Sequence, residues 1–175
     1  MKHASPTPIR TTRLVLHPMT GEMADAALAR DELAFEKIGF HTHGLWPFGD
    51  LCDALPFFIE LLHDHEPDLF GPWVIVLQEE HTIIGDIGFK GPPDENGTIE
   101  IGFSIIASER QKGYCYEAAD ALIEQGRKHT SVQKIIAECL IRNTASARVL
   151  HKLHFAEVSR NDEYIKWELR RPTEG

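Results

Sequence analysis

Six consecutive residues, Arg110-Gln111-Lys112-Gly113-Tyr114-Cys115, set two cations and one glycine immediately ahead of a helical pattern. The segment before them, Thr98 to Ile106, has strand character. The segment after them spaces Tyr116, Ala119, Leu122 and Ile123 as one apolar stripe, with Glu117, Asp120 and Glu124 on the other side. Acids come early in this helix, and Arg127, Lys128 and His129 close it, so both ends complement its dipole. A strand–turn–helix junction of this kind turns several unpaired main-chain N–H groups, and the positive end of a dipole, toward one spot. That chemistry suits an anion such as a phosphate. Gly113 lets the backbone come close to such a ligand, and Arg110 and Lys112 add charge at the rim. The stretch lacks the GK[ST] of a P-loop, and it is not a GxGxxG followed by an acid about 20 residues on. On the hexapeptide alone, an ordinary basic turn capping a surface helix is the other reading.

The hexapeptide followed by Glu117-Ala118 resembles the [QR]-x-x-G-x-[GA] pyrophosphate loop of the GNAT superfamily of N-acetyltransferases. Downstream, Asn143 to Phe155 (NTASARVLHKLHF) is similar to the Asn-x-x-Ser…Lys-Leu-Gly-Phe segment of the RimJ/RimL-like branch. Upstream, Gly85 to Ile105 is similar to that branch's hairpin and central strand. The three matches fall in the family's order and cover the chain from Thr11 to Leu169. The resemblance implies an acetyl-CoA-dependent N-acetyltransferase that works by direct transfer to an amine in a ternary complex. A non-catalytic acyl-CoA-binding or regulatory module of the same fold is the alternative.

Site roles follow from the same resemblance. The pyrophosphate of acetyl-CoA is expected on the N–H groups of Gln111, Lys112, Gly113, Tyr114 and Cys115, with Arg110 beside them. The pantetheine arm is expected to pair with the backbone of Phe103, Ser104, Ile105 and Ile106, as an added strand would. Glu100 lies in the central strand where related enzymes often carry a glutamate, and it is the favoured general base. A carboxylate partly desolvated in a cleft can be raised toward the working pH. Glu163, in Asp162-Glu163-Tyr164, is the second candidate. Asn143 is expected to hold the pantetheine arm and Ser146 to donate to the departing thiolate. Many relatives use a tyrosine four residues beyond that serine, a position held here by Leu150. Each residue also has a plainer role: Glu100 as the outward member of an alternating strand, Asn143 as a helix cap, Ser146 as a first-turn helical residue.

Two positions depart from the family pattern. Cys115 stands where the loop usually ends in Gly or Ala; it adds bulk near the pyrophosphate and a thiol at a helix N-terminus, where thiolate is favoured, so lowered cofactor affinity or oxidation sensitivity is expected. His154 replaces the usual glycine before Phe155 and is expected to strain or reshape that turn.

The elements that position these residues read as follows. Arg10 to His17 is a first strand stopped by Pro18, and Thr20 caps a helix through Met23, Ala27 and Leu28. Asp53 to His63 is a helix with Pro56 in its first turn and Phe57, Phe58, Leu61 and Leu62 on its apolar face. Trp73 to Leu77, Ile83 to Phe89 and Thr98 to Ile106 are strands, as is Val132 to Leu140. Asn143 caps a helix ending near Leu153, and Phe155 to Val158 and Tyr164 to Leu169 close the chain as strands. The order gives an α/β fold. The resemblance makes it a single-domain GNAT-like mixed central sheet flanked by helices, with splayed central parallel strands. Residues 1–9 read as a loose N-terminal tail, 10–170 as the N-acetyltransferase domain and 171–175 as a C-terminal tail.

Composition agrees with one globular domain: 175 residues, 42% of them hydrophobic and 26% charged. A net charge of −9 argues against nucleic acid as the partner, and a cationic acceptor such as an amine suits it better. No apolar run reaches a membrane span and the N-terminus has no signal-peptide core. The three cysteines form no CxxC, so a reducing cytoplasm is expected, without a disulfide framework. The ten histidines fit no metal-ligand spacing. His41, His43, Trp46 and Phe48 fall in the segment that walls the acceptor pocket in the family. The acceptor amine belongs to a small molecule or to a protein N-terminus, and a homodimer is among the assemblies compatible with this reading.

Overall fold

The computed structural model describes residues 5–173; the outermost parts of both expected tails lie outside them. In chain order the elements are β1 (Ile9–Arg10), β2 (Leu14–Pro18), α1 (Gly21–Ala29), α2 (Glu32–Lys37), β3 (His41–Thr42) and α3 (Asp50–Asp64). Then come β4 (Pro72–Leu77), β5 (Thr82–Phe89), β6 (Thr98–Ile105), a short 3-10 turn (Ala107–Glu109) and α4 (Tyr114–Arg127). β7 (Lys134–Leu140), α5 (Thr144–Lys152), β8 (Ala156–Arg160) and β9 (Tyr164–Arg170) complete the fold. The strands form one mixed sheet in the order β1-β2-β4-β5-β6-β7-β9-β8, with β3 lying parallel to the start of β5. This is the α/β architecture expected, helices flanking a mixed sheet.

The feature that makes a site is the join between β6 and β7. These two strands are parallel, and they pair only at Thr98–Glu100 with Lys134–Ile136. Beyond that point β6 stays with β5 through Ile105, while β7 stays with β9 through Leu140. Each strand keeps its outer partner and loses its inner one, so a wedge opens. The Glu100 carbonyl accepts from Lys90 N–H, and Ile106 N–H donates to the Ile84 carbonyl, so even-numbered main-chain groups of β6 point to β5. By alternation the odd-numbered ones, Phe103 and Ile105, face the wedge.

α4 covers one face of the sheet. A Cβ on its Gly126 would come within 2.9 Å of Phe89 and 3.5 Å of Ile99, so the glycine lets the helix sit directly on β5 and β6. Ala118, Ala119, Leu122 and Ile123 fill the rest of that contact; Tyr116, expected in the stripe, is only half-buried. The opposite face carries Asp86, Gly88, Gly102 and Ser104. Trp46, from the β3–α3 connection, reaches over it and packs edge-on against Phe35 of α2 at 5.7 Å.

Three expected elements differ in detail. The first strand is broken: Thr11 N–H and hydroxyl both turn back to the Leu14 carbonyl, folding Ile9–Arg10 onto Val15–Leu16 as a hairpin. α3 starts three residues earlier than expected, so Pro56 lies in its second turn, where its ring costs the helix one N–H donor. Its buried residues are Leu51 and Leu55, and Phe57 is 63% exposed, so the inward stripe is rotated from the one expected. Arg171, assigned to the C-terminal tail, is tied down by its N–H to Gln133 and by its guanidinium to the Arg127 carbonyl.

Candidate active site

The turn between β6 and α4 is shaped by left-handed backbone at Gln111 (φ 63°) and Gly113 (φ 82°). Among the described residues, the N–H groups of Gln111 through Tyr116 donate to no protein acceptor; the first bond into α4 runs from Glu117 N–H to the Gly113 carbonyl, 3.1 Å. Six consecutive donors at the positive end of a 14-residue helix make an anion cradle from main chain alone.

What holds the cradle rigid comes from the far end of the chain. Arg13 donates to the Lys112 carbonyl at 2.8 Å, lies 4.4 Å from the centre of the Tyr114 ring, and pairs with Glu117 at 2.7 Å. Glu117 also accepts from the Thr11 hydroxyl at 2.6 Å and from Arg13 N–H at 2.8 Å. Burial works against its carboxylate, but the bonds from Thr11 and Arg13 outweigh it and hold the group below the usual carboxylate range. Sequence reading missed this clamp, because its partners lie about a hundred residues apart; the only local signal was an acid in the first turn of α4.

The cations expected at the rim are occupied. Arg110 donates through Nε to the Ile105 carbonyl at 2.9 Å and stacks 5.8 Å from the Phe48 ring. Lys112 pairs with Glu109 at 2.8 Å. The thiolate expected at Cys115 is corrected as well. Burial, and then the charge of Asp86, push this thiol up to about 12, and Arg110 offsets only part of that. Desolvation outweighs the helix dipole, so Cys115 acts as a small neutral side chain.

Two carboxylates share the sheet face opposite α4. Glu100 sits at the last β6 position still paired to β7, opposite Ile136, with its carboxylate 2.8 Å from Lys90 Nζ and its side chain 31% exposed. Asp86 sits on β5 opposite Ser104, beside the opened part of β6. Its Oδ2 accepts from Trp46 Nε1 at 3.1 Å and from the Ser104 hydroxyl at 3.2 Å. Desolvation raises its pKa to about 7; the two hydrogen bonds pull it down and the charge of Asp50 adds to the rise.

Residues 13–156 match the Acetyltransferase (GNAT) domain family. The chain is 39% identical over 160 residues to the uncharacterized N-acetyltransferase YjdG of Bacillus subtilis, a match covering 91% of this chain and 95% of the relative. The chain belongs to the GNAT acetyltransferase family. As a GNAT member it is an N-acetyltransferase with acetyl-CoA as cosubstrate, and it acts on an amine. A likeness of fold alone links it to the ribosomal-protein-S5-alanine acetyltransferase of Vibrio fischeri, at TM-score 0.67 and 19% identity over 94% of this chain and 97% of that one. The same holds for RimL, a ribosomal L7/L12 alpha-N-protein acetyltransferase, at TM-score 0.68 and 16% identity over 94% of both chains. A second RimL structure, at TM-score 0.65 and 17% identity over 94% of this chain and 98% of that one, is a complex with coenzyme A.

The residues fit the GNAT cosubstrate on the structure's own terms. The main-chain cradle suits its pyrophosphate, and the wedge-facing amides of Phe103 and Ile105 suit its amide-bearing arm. Ser104 and Ile106, named with them from sequence, turn their main chain toward β5 instead. Asn143 caps α5, its Oδ1 accepting from Ser146 N–H at 3.1 Å, and Ser146 lies half-buried in that helix's first turn, just past the opened arm of β7. Glu163 lies in the β8–β9 turn; its carbonyl accepts from Ile141 N–H at 2.9 Å and its side chain is exposed. His154 adopts φ 69°, the left-handed backbone that a glycine would take without strain. Among the described residues no helix is long and apolar enough to cross a membrane.

Proposed function

We propose that this chain transfers the acetyl group of acetyl-CoA directly to an amine, both substrates being bound together. The reading rests on one observation: the six-donor cradle at Gln111–Tyr116 follows the opened end of β6 after a single 3-10 turn, which supports one extended ligand held by phosphate at one end and by amides along its arm. Acetyl-CoA, when bound, supplies the activated acyl group. The N–H groups of Gln111 to Cys115 hold the pyrophosphate, Arg110 braces the turn through Ile105, and the main chain of Phe103 and Ile105 registers the arm. Asn143 orders the first turn of α5, from which Ser146 donates a proton to the departing sulfur. A carboxylate takes the amine's proton; Glu100 and Glu163 are those the sequence singles out.

Calorimetric titration with acetyl-CoA, with ATP as control, tests the reading. We expect micromolar binding that is lost in Gly113→Asp. There the new side chain meets positive φ, sits 3.3 Å from Arg13 Nη2, and brings an anion to the anion site. Absence of acetyl-CoA binding in the wild type would overturn the proposal. Binding without free-thiol release in the presence of any amine would favour the non-catalytic module.

A further inference from the structure

Asp86 combines features that an ordinary sheet carboxylate lacks. Both its donors, Trp46 Nε1 and the Ser104 hydroxyl, reach the same oxygen, Oδ2. Oδ1 has no protein partner among the described residues, and no buried side-chain nitrogen or oxygen there lacks one, so Oδ1 is not sealed in but touches solvent. One carboxylate oxygen is fixed and the other is presented.

The surroundings match a reaction site. Ser104 belongs to the part of β6 that has left β7, whereas Glu100 is still laddered to it. Glu100 lies four strand residues from Ser104, about 13 Å away, too far for both ends to serve one atom. Next to Ser104 the sheet is bare: within 4 Å, a Cβ on Gly102 would meet only Lys90 Cε, at 3.6 Å. The connection carrying Trp46 also carries Phe48, whose ring meets Arg110 of the cradle turn. The acceptor-side loop and the cofactor-side turn therefore converge beside Asp86.

We propose that Asp86 is the catalytic base, taking the proton of the acceptor ammonium on Oδ1 while Trp46 and Ser104 hold Oδ2. The proposal rests on the acetyltransfer reading above. The acceptor arrives as R–NH3+ and one N–H proton passes to Oδ1. The freed lone pair forms the N–C bond to the acetyl carbonyl carbon. The C–S bond breaks with its electron pair on sulfur, and sulfur takes a proton through Ser146. The second N–H proton replaces the one that Ser146 gives to sulfur, and Asp86 returns its own proton to water, so one proton is released per turnover. A base that titrates near neutrality is matched to this work. The titratable or charged groups bearing on Asp86 are Asp50 from α3 and Cys115 from α4, the latter itself under Arg110.

The test compares wild type, Asp86→Asn and Trp46→Phe. The acceptors are a short peptide with a free α-amino group and 1,4-diaminobutane, and free-thiol release and acetyl-CoA affinity are both measured. We expect Asp86→Asn to lower kcat about 100-fold and to leave acetyl-CoA affinity within about twofold. Trp46→Phe removes a bond to the charged carboxylate, so the rising limb of kcat/KM against pH, near 7 in the wild type, should move to higher pH. Turnover of Asp86→Asn within about threefold of wild type would overturn the proposal. So would an equal loss of turnover and acetyl-CoA affinity, which marks a structural role, or an unmoved limb in Trp46→Phe. A wild type that binds acetyl-CoA but releases no thiol with these probes or any other amine of a broad panel would count against acetyltransfer itself and remove the reaction assigned to Asp86; that failure is seen without any variant.

Discussion

Asp86 and Glu100 lie on one face of two adjacent strands, and the protein treats them oppositely. Glu100 stands where β6 and β7 are still joined, ion-paired to a lysine that is itself 64% exposed. Asp86 stands where they have parted, under an indole, with one oxygen fixed and the other open. An exposed pair of the first kind contributes little and is screened by salt. A desolvated carboxylate of the second kind costs the fold stability whenever it is ionised. Its folded pKa of about 7 lies above the ordinary 3.8, so the folded state holds the extra proton. Its contribution is full below the ordinary value and is lost as pH rises through about 7. The difference teaches that position relative to the wedge, rather than residue type, separates a carboxylate suited to move protons from one suited to sit in water.

The comparison can be broken by exchanging losses. Asp86→Asn is expected to cost about 100-fold in kcat, whereas Glu100→Gln should cost about threefold, the scale of an exposed pair. Reversed magnitudes in steady-state kinetics would return the base to Glu100. Next in size, Arg13→Ala should weaken acetyl-CoA binding about tenfold with kcat nearly unchanged, because it frees the Lys112 carbonyl and Glu117 without touching the sheet face. A matching fall in kcat would mean that the cradle and the carboxylates are not separable. Asp86→Asn should also gain stability over wild type as pH is raised from 4 to 8, by a few kcal/mol, in urea unfolding. A pH-independent difference would deny the desolvation. Smallest and most remote, His154→Gly should stabilise the protein by about 1 kcal/mol by relieving left-handed backbone, with no change in kinetics.

The cradle was legible in sequence because it is local: cation, glycine and helix start lie within six residues. The strands around it were legible for the same reason, β4 as a continuous apolar run and β6 through its alternation. Asp86 was not. In Ile83-Ile84-Gly85-Asp86-Ile87-Gly88-Phe89 it reads as the polar member of an alternating strand, and its environment is supplied by Trp46 and Ser104, 40 and 18 residues away. An acid between two glycines in an otherwise buried strand was the only available signal. Arg13 and Thr11 were hidden in the same way, inside a segment that reads as one strand until its turn closes on Glu117. Phe57 shows the converse: helical spacing identified α3 but not which stripe faces inward, because α1, which packs against it, and not the helix's own pattern, decides that. Glu163 and Ser146 sit on elements that were placed correctly, and their chemistry depends on ligand geometry beyond any pattern of residues.

The most direct test of the contrast is a site-resolved 13C carboxyl titration of the free protein by NMR, with Asp86 assigned through Asp86→Asn. The account predicts that Asp86 titrates near pH 7 and moves to higher pH in Trp46→Phe. Titration in the ordinary aspartate range, unmoved by Trp46→Phe, would contradict it.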